Sequence, residues 1–426
     1  MVARPRRAPA VHIIVQNLPV PFDRRVWLEC QSLTAAGYQV SVVCPKGPGD
    51  PSTQVIDGVT LYKYRPPKTG AGKLAFVREY LHSFAATAWL TAKAWRRHRF
   101  AVLQACNPPD IFWPIALVLR GAGVQFVFDH HDLCPELYES KFGTRQSLLY
   151  RGLRMLEWCT FRTAAHVTST NDSYRAVAIR RGGKRPEDVT VVRTGPDPDR
   201  LRPVDPDPSL RRGRDHLAVY LGVMGPQDGV DLAVEAIDHL VHRLGRTDIS
   251  VTLIGSGESY DQLVALVHQL GLETYVDLPG RLADDEVARL LSTADVGLCP
   301  DPKNPLNDVS TMNKTMEYMA FHLPVVAFDL KETRVSAGEA AVYARPNEVE
   351  DFARLLVELV DDEPRRQAMG QLGRQRVVES LAWGHQQRCY VKVYDALIGR
   401  EPAPADPDPR RMSGSGSPAG QIPVAG

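Results

Sequence analysis

Apolar runs and polar breaks alternate along this chain in a regular rhythm. Val11–Gln16 predicts a strand that runs into the loop Asn17-Leu-Pro-Val-Pro-Phe22. A helix is expected from Asp23 to Ala36, with Val26, Leu28, Cys30 and Leu33 on its apolar side, Gly37 as its stop and Gln39–Cys44 as the next strand. Lys73 to Phe100 predicts a long helix, and Gln146 to Ala165 another. Ala101–Ala105, Val124–Phe128, His166–Ser169 and Val189–Val192 predict further strands. From Asp197 to Asp215 proline, aspartate and arginine take over and the apolar period vanishes, as in a linker. The alternation then restarts with Leu217–Gly222. A helix follows that carries Val230, Val234, Ile237, Val241 and Leu244 on one face. Ile249–Ile254, Tyr275–Leu278, Asp295–Cys299 and Val325–Phe328 are strands with helices between them. Helix resumes over Val349 to Val360 and Glu363 to Leu397. Strand and helix in strict alternation, twice over, predict an α/β protein of two Rossmann-like, doubly wound domains facing a central cleft. The expected divisions are a disordered N-terminus at 1–10, a first domain at 11–197, a linker at 198–215 and a second domain at 216–375. A C-terminal helix at 376–400 is expected to return to the first domain, and a Pro-, Gly- and Ser-rich tail at 401–426 to be disordered.

Composition narrows the class. Lysine plus arginine (51) nearly balance aspartate plus glutamate (50), so the strong basic excess of a nucleic-acid binder is missing and no nucleic-acid partner is expected. The seven cysteines are scattered and never in C-x-x-C spacing, which fits buried free thiols in a reducing compartment and argues against structural zinc. Met1 to Ala10 is basic and broken by proline, unlike a signal peptide, and no apolar run is long enough to span a bilayer. A cytoplasmic protein is the expectation. Trp95-Arg-Arg-His-Arg99, at the end of the long helix, fits either a solvated helix terminus or peripheral contact with the inner face of a membrane.

Four stretches carry candidate chemistry. In Asn304 to Asp329, Ser310, Thr311 and Asn313 lead into a helix whose first turn holds Lys314 and Glu317. Free amides at a helix start bind anions, an ammonium strengthens such a site, and a carboxylate one turn in accepts hydrogen bonds from vicinal hydroxyls. An ordinary capped helix with surface Lys and Glu is the alternative. Asp129-His-His-Asp132 crowds titratable groups just past a strand end, where α/β sites are built. Metal binding there is disfavoured, because His130 and His131, adjacent on an extended chain, point opposite ways. Asp23 and Arg24 lie where a ligand would sit after the first strand, although Asp23 also suits a helix cap. Gly255-Ser-Gly-Glu258 after a strand is a weak nucleotide signal alone.

Taken in order, these segments resemble the family 4 retaining glycosyltransferases of the GT-B fold. The likeness rests on Tyr220-Leu-Gly-Val-Met-Gly-Pro-Gln-Asp-Gly-Val230, Leu253-Ile-Gly-Ser-Gly-Glu258, Pro279-Gly-Arg281, Ala294-Asp-Val-Gly-Leu-Cys-Pro300 and Asn313-Lys-Thr-Met-Glu-Tyr-Met-Ala320 with Leu323-Pro-Val-Val326. In the first half it rests on Asp23-Arg-Arg-Val26, Gly37-Tyr-Gln-Val40 and His131-Asp132. The resemblance implies an acceptor-side first domain and a nucleotide-sugar donor domain. Glu317 would hold the ribose, and Ser310, Thr311 and Met312 would face the donor phosphates and sugar. Gly222, Gly225, Gly255, Gly257 and Glu258 would lie in the nucleotide loops, and Arg281 and Leu282 would cradle the base. His131 would sit beside the transferred sugar, with Asn17, Asp23 and Asp132 on the acceptor side. The substrate implied is a nucleotide-diphosphate sugar, with UDP favoured and neither cofactor nor metal. The acceptor would be a glycan, a lipid-linked or a small-molecule hydroxyl.

The departures are local. The first glutamate of the family's pair falls at Val309, and the cations expected to face the pyrophosphate fall at Val223 and Asp228. Lys314 and Arg193 are the candidate replacements. A nucleotide-sugar 2-epimerase and a catalytically silent nucleotide-sugar binder stay open as alternatives. An NAD-dependent oxidoreductase is disfavoured, since neither Gly-rich loop completes G-x-G-x-x-G.

Overall fold

The computed structural model describes residues 8–67, 73–143, 145 and 147–401, so most of the ends expected to be disordered, 1–10 and 401–426, lie outside the described residues. Contacts divide the chain into two units. The first comprises Met1–Glu139, Thr144–Arg193 and Gln386–Gly426, and the second Ser140–Gly143 and Thr194–His385.

Unit 1 is built on eight strands: β1 (Ala10–Ile14), β2 (Gln39–Pro45), β3 (Thr53–Ile56), β4 (Val59–Tyr64), β5 (Val102–Cys106), β6 (Gln125–His130), β7 (His166–Ser169) and β8 (Val189–Val191). Their order is β3-β4-β2-β1-β5-β6-β7-β8. β1 and β5 are buried along their whole length, and β2 from Val40 onward, as strands of a parallel sheet covered on both faces must be. Only β3 and β4 pair antiparallel, through a turn at Asp57 and Gly58, both at positive φ. An Asp-Gly pair is what a two-residue hairpin turn demands. The sequence pattern missed this hairpin because β3 lies at the sheet edge and is half exposed.

Unit 2 has six strands: β9 (His216–Val223), β10 (Ile249–Ser256), β11 (Val276–Gly280), β12 (Val296–Cys299), β13 (Val325–Phe328) and β14 (Ala341–Ala344). They are all parallel, in the order β11-β10-β9-β12-β13-β14. The helix after β9 departs from expectation. Val230–Asp238 passes into a π-turn at His239–Arg243, whose wider winding turns Leu244 off the buried face to 45% exposure.

The expected linker at 198–215 is fastened to unit 2. Val204 N donates to Ser292 Oγ at 2.9 Å, Asp207 N to Thr293 Oγ1 at 2.9 Å, and Arg211 grips the Asp295 carboxylate at 2.6 and 3.1 Å. The boundary by contacts accordingly falls at Arg193/Thr194. The end of the helix Trp383–Ile398 packs in unit 1, where the Tyr390 and Tyr394 hydroxyls donate to Gln104 Oε1, and Tyr38 donates to Asp395 at 2.6 Å. Among the described residues no helix is long and apolar enough to cross a membrane.

Strand order reverses between β1 and β5 in unit 1, and between β9 and β12 in unit 2. Open α/β sheets bind ligands beyond the carboxyl ends of the strands at such points.

Candidate functional site

At the unit 2 switch point, the loops after β9, β10 and β12 meet the start of the helix Asn313–Ala320. Two glycines let the backbone of the β10 loop lie against that of β9. A Cβ at Gly255, whose φ is +147°, would sit 1.8 Å from Gly222 O, and one at Gly257 would sit 2.4 Å from Met224 O. Gly225, in the loop after β9, donates its N–H to Asp228 Oδ2 at 2.9 Å. Burial pushes the Asp228 carboxyl up to about 6 against the pull of Lys314. Val223 is exposed.

The helix Asn313–Ala320 opens on Met312, which supplies no side-chain cap. The positive end of the helix dipole lies at this start, an arrangement that suits an anion. Ser310 Oγ is turned back onto Leu306 O at 2.8 Å, while Thr311 and Met312 are half-buried. Glu317 is half-buried one turn into the helix.

Lys314 is not the surface lysine of the capped-helix alternative. Its side chain is buried, with Nζ 2.7 and 2.8 Å from the two Asp301 oxygens and 5.0 Å from the centre of the Tyr220 ring. Burial disfavours its charge, but Asp301 outweighs that and holds its pKa well above the usual lysine value. Asp301 also accepts from Cys299 Sγ at 3.1 Å, and Thr315 Oγ1 donates to Cys299 Sγ at 3.4 Å. The one ammonium of this cluster thus stands with two acids, Asp301 and Asp228. An anion arriving at the helix start would meet backbone amides unless Asp301 yields Lys314. Asp301 follows β12 and Tyr220 lies in β9. Neither stood out in the sequence, because only the fold brings them to Lys314.

The other donor-side candidates lie further out. Glu258 and Arg281 are exposed. Leu282 lines a hollow of about 280 Å³ with Thr252, Asp277, Pro279 and Arg289.

Unit 1 gathers a second cluster at its own switch point, with Asp129 of β6 at its centre. Arg25, from the helix Arg24–Ala35, clamps Asp129 through Nε at 3.0 Å and Nη2 at 2.7 Å, and its Nη1 donates to Val192 O at 3.0 Å. Thr168 Oγ1 donates to Asp129 Oδ1, and His131 Nδ1 lies 2.8 Å from Asp129 Oδ2. Burial alone would raise the Asp129 carboxyl, yet Arg25 and His131 hold it well below the ordinary range. Burial likewise opposes the His131 imidazolium. The hydrogen bond and charge of Asp129 prevail and raise His131 to about 9, so its ring is a cation at neutral pH.

Asn107 fixes the turn that presents this ring. Its Oδ1 accepts from the His131 and Asp132 N–H groups at 2.9 and 3.0 Å, and its Nδ2 donates to Asp132 O at 2.7 Å. His130 points the other way, into Phe128, Phe161 and Tyr174, where burial lowers it to about 3. Glu29, Cys106 and Asp129 lie close enough together to suggest an ion, but Arg25 already bridges the two carboxylates, with Nε 3.3 Å from Glu29. Of the remaining candidates, Asp23 caps its helix by accepting from Val26 N at 3.1 Å, Asn17 is exposed and Asp132 is half-buried. Arg193 is half-buried in unit 1, 3.7 Å from Asp172. Arg25 and Asn107 were given no role by sequence reasoning, since their partners lie 104 and 24–25 residues away in the chain and leave no local pattern.

Comparison with known proteins places both units. The Glycosyltransferase Family 4 model matches residues 23–200, and the Glycosyl transferases group 1 model matches residues 215–362. MMP alpha-(1->4)-mannosyltransferase of Mycolicibacterium hassiacum is 28% identical over 177 residues, which are 40% of this chain and 42% of that protein. The chain spans about half the length of the curated relatives it matches. Sucrose-phosphate synthase from Thermosynechococcus elongatus superposes with a TM-score of 0.76 at 16% identity, covering 92% of this chain and 99% of that one. The Anabaena protein HepE, solved in complex with UDP-glucose, gives 0.68 at 15% identity over 91% and 99%. A glycosyltransferase model thus matches each unit, and the two-sheet architecture is that of the GT-B fold.

Proposed function

We propose that the chain moves a sugar from a nucleotide-diphosphate donor to an acceptor hydroxyl with retention of anomeric configuration, working in the cytoplasm at the inner face of the membrane in cell-surface glycan or glycolipid synthesis. One observation carries this reading. The helix Asn313–Ala320, without a side-chain cap, starts at the unit 2 switch point beside glycines that clear the backbone, with Glu317 one turn in. Helix amides then hold the diphosphate, Glu317 holds the ribose hydroxyls, and Lys314 exchanges Asp301 for a phosphate oxygen. In the transfer the bond from the anomeric carbon to the phosphate oxygen breaks while the acceptor oxygen bonds to that carbon on the same face. The acceptor proton passes to the departing phosphate oxygen. Cationic His131, steadied by Asp129, stabilises charge on the reacting groups. UDP is the favoured carrier, by analogy with the UDP-glucose bound by HepE.

A second reading has its own support. Asp301 and Asp228 beside a single lysine, with Val223 in the loop, suit a nucleotide-sugar binder without turnover. Incubation with UDP-, GDP-, ADP- and dTDP-sugars separates the two. Slow acceptor-independent hydrolysis or transfer supports the enzyme, and binding with no turnover of any donor supports the silent protein. Release of a free 2-epimer would overturn both.

A further inference from the structure

Unit 1 carries a helix whose apolar pattern is doubled. Leu148–Thr163 is capped by Ser147, whose Oγ accepts from Tyr150 N at 3.1 Å, and it buries Tyr150, Thr160 and Phe161 toward the sheet. The opposite face should be polar, and it is not. Leu148, Arg151, Met155, Trp158 and Arg162 follow one another at steps of three and four, so they form one stripe on the side away from the core. Leu148 is 84% exposed and Met155 60%, and Trp158 is half exposed beneath the Arg162 guanidinium, 5.5 Å from its ring. The helix Trp113–Arg120 packs alongside and adds Val118, 78% exposed. The only acid of the longer helix, Glu157, is buried and paired with Arg181, so none of the stripe's charge is negative. The basic helix end at Trp95–Arg99, by contrast, spends its aromatic ring inward. Trp95 packs on the core with Arg99 stacked over it, and His98 bonds Tyr62.

We propose that the stripe Leu148–Arg162, with Val118, is a docking face for an anionic lipid bilayer. Trp158, Met155 and Leu148 enter the interface while Arg151 and Arg162 reach lipid phosphates along their aliphatic stems. A second copy fits the stripe poorly, because a twofold contact sets arginines against arginines. This inference does not rest on which sugar is transferred, since its readout is binding alone.

The test is co-sedimentation of the full chain with phosphatidylcholine vesicles and with vesicles that also contain phosphatidylglycerol. Wild type should pellet with the anionic vesicles and hardly with the neutral ones. Arg151→Glu with Arg162→Glu should weaken the anionic binding at least about tenfold. Met155→Ser with Trp158→Ser should weaken it similarly, with circular dichroism and acceptor-independent donor hydrolysis unchanged. Equal pelleting on both lipids, no pelleting of wild type, or variants that bind like wild type would overturn the proposal. So would a dimer in sedimentation velocity that the same variants abolish.

Discussion

Replacing Asp301 by asparagine removes the carboxylate that both Lys314 hydrogen bonds use. Removing one partner of a buried ion pair leaves the other unpaired and costs about 3–5 kcal/mol. At roughly 2–4 °C per kcal/mol for a domain of this size, the ligand-free variant should melt about 6–20 °C below wild type. The gain appears when a diphosphate arrives. In wild type a phosphate oxygen must displace Asp301 to reach Lys314, whereas in the variant the hydrogen-bonded competitor is gone and only the Coulomb pull of Asp228 remains. One charge-assisted hydrogen bond contributes about 1.5–3 kcal/mol, so UDP should bind the variant about ten- to a hundredfold more tightly. Scanning fluorimetry with and without UDP reads both effects at once, because bound ligand stabilises by RT ln(1 + [L]/Kd). The UDP-induced rise in Tm should be clearly larger in Asp301→Asn than in wild type. The burial that opposes the Lys314 charge would also go unanswered, so UDP should bind the variant better at mildly acidic than at alkaline pH. An equal or smaller UDP shift in the variant would refute the reasoning: Lys314 would then be a structural cation with no phosphate to meet.

Other outcomes follow from the same geometry. His131→Ala should lower turnover about a hundredfold while the donor dissociation constant, by calorimetry, moves less than about threefold; equal losses in both would make the ring a donor-binding group. His131 is raised from an ordinary value of 6.5 to about 9. Its contribution to stability is therefore complete below about pH 6.5 and lost as pH climbs through about 9, so denaturant midpoints of wild type and His131→Ala should converge in that window while turnover declines. Gly255→Ala forces a Cβ onto Gly222 O and should cost about 2–4 kcal/mol in urea unfolding and abolish UDP binding, where Gly384→Ala, in open space and without a positive φ, costs far less.

The alternation of strands and helices could be read from the chain because parallel strands covered on both faces are continuous apolar runs, as in Val40–Cys44 and Val325–Phe328. The β3–β4 hairpin could not, since Thr53–Ile56 is short, polar on one side and half exposed, leaving only Asp57-Gly58 to signal it. His131 was legible from its place after a strand, and its role as a cation was not. That state depends on Asp129 being held ionised by Arg25, which lies 104 residues earlier. The pairing of Lys314 with Asp301 was hidden for the same reason. A lysine in a helix's first turn faces solvent unless something buried asks for it, and Asp301 becomes its partner only when β12 lies beside β9.

The junction of Tyr390 and Tyr394 with Gln104, and of Gln104 with Glu29, joins the last helix to the first two strand-helix steps of unit 1. On a ribosome this imposes an order. The stretch 194–385 emerges whole, whereas the earlier unit has its strands by residue 191 yet keeps its buried glutamate partly uncovered until the turns that carry Tyr390 and Tyr394 leave the exit tunnel. A transcript cut short near codon 385 would thus keep the strands of both sheets but leave the Glu29–Gln104 pair bared, and quality control would see the half that was synthesised first.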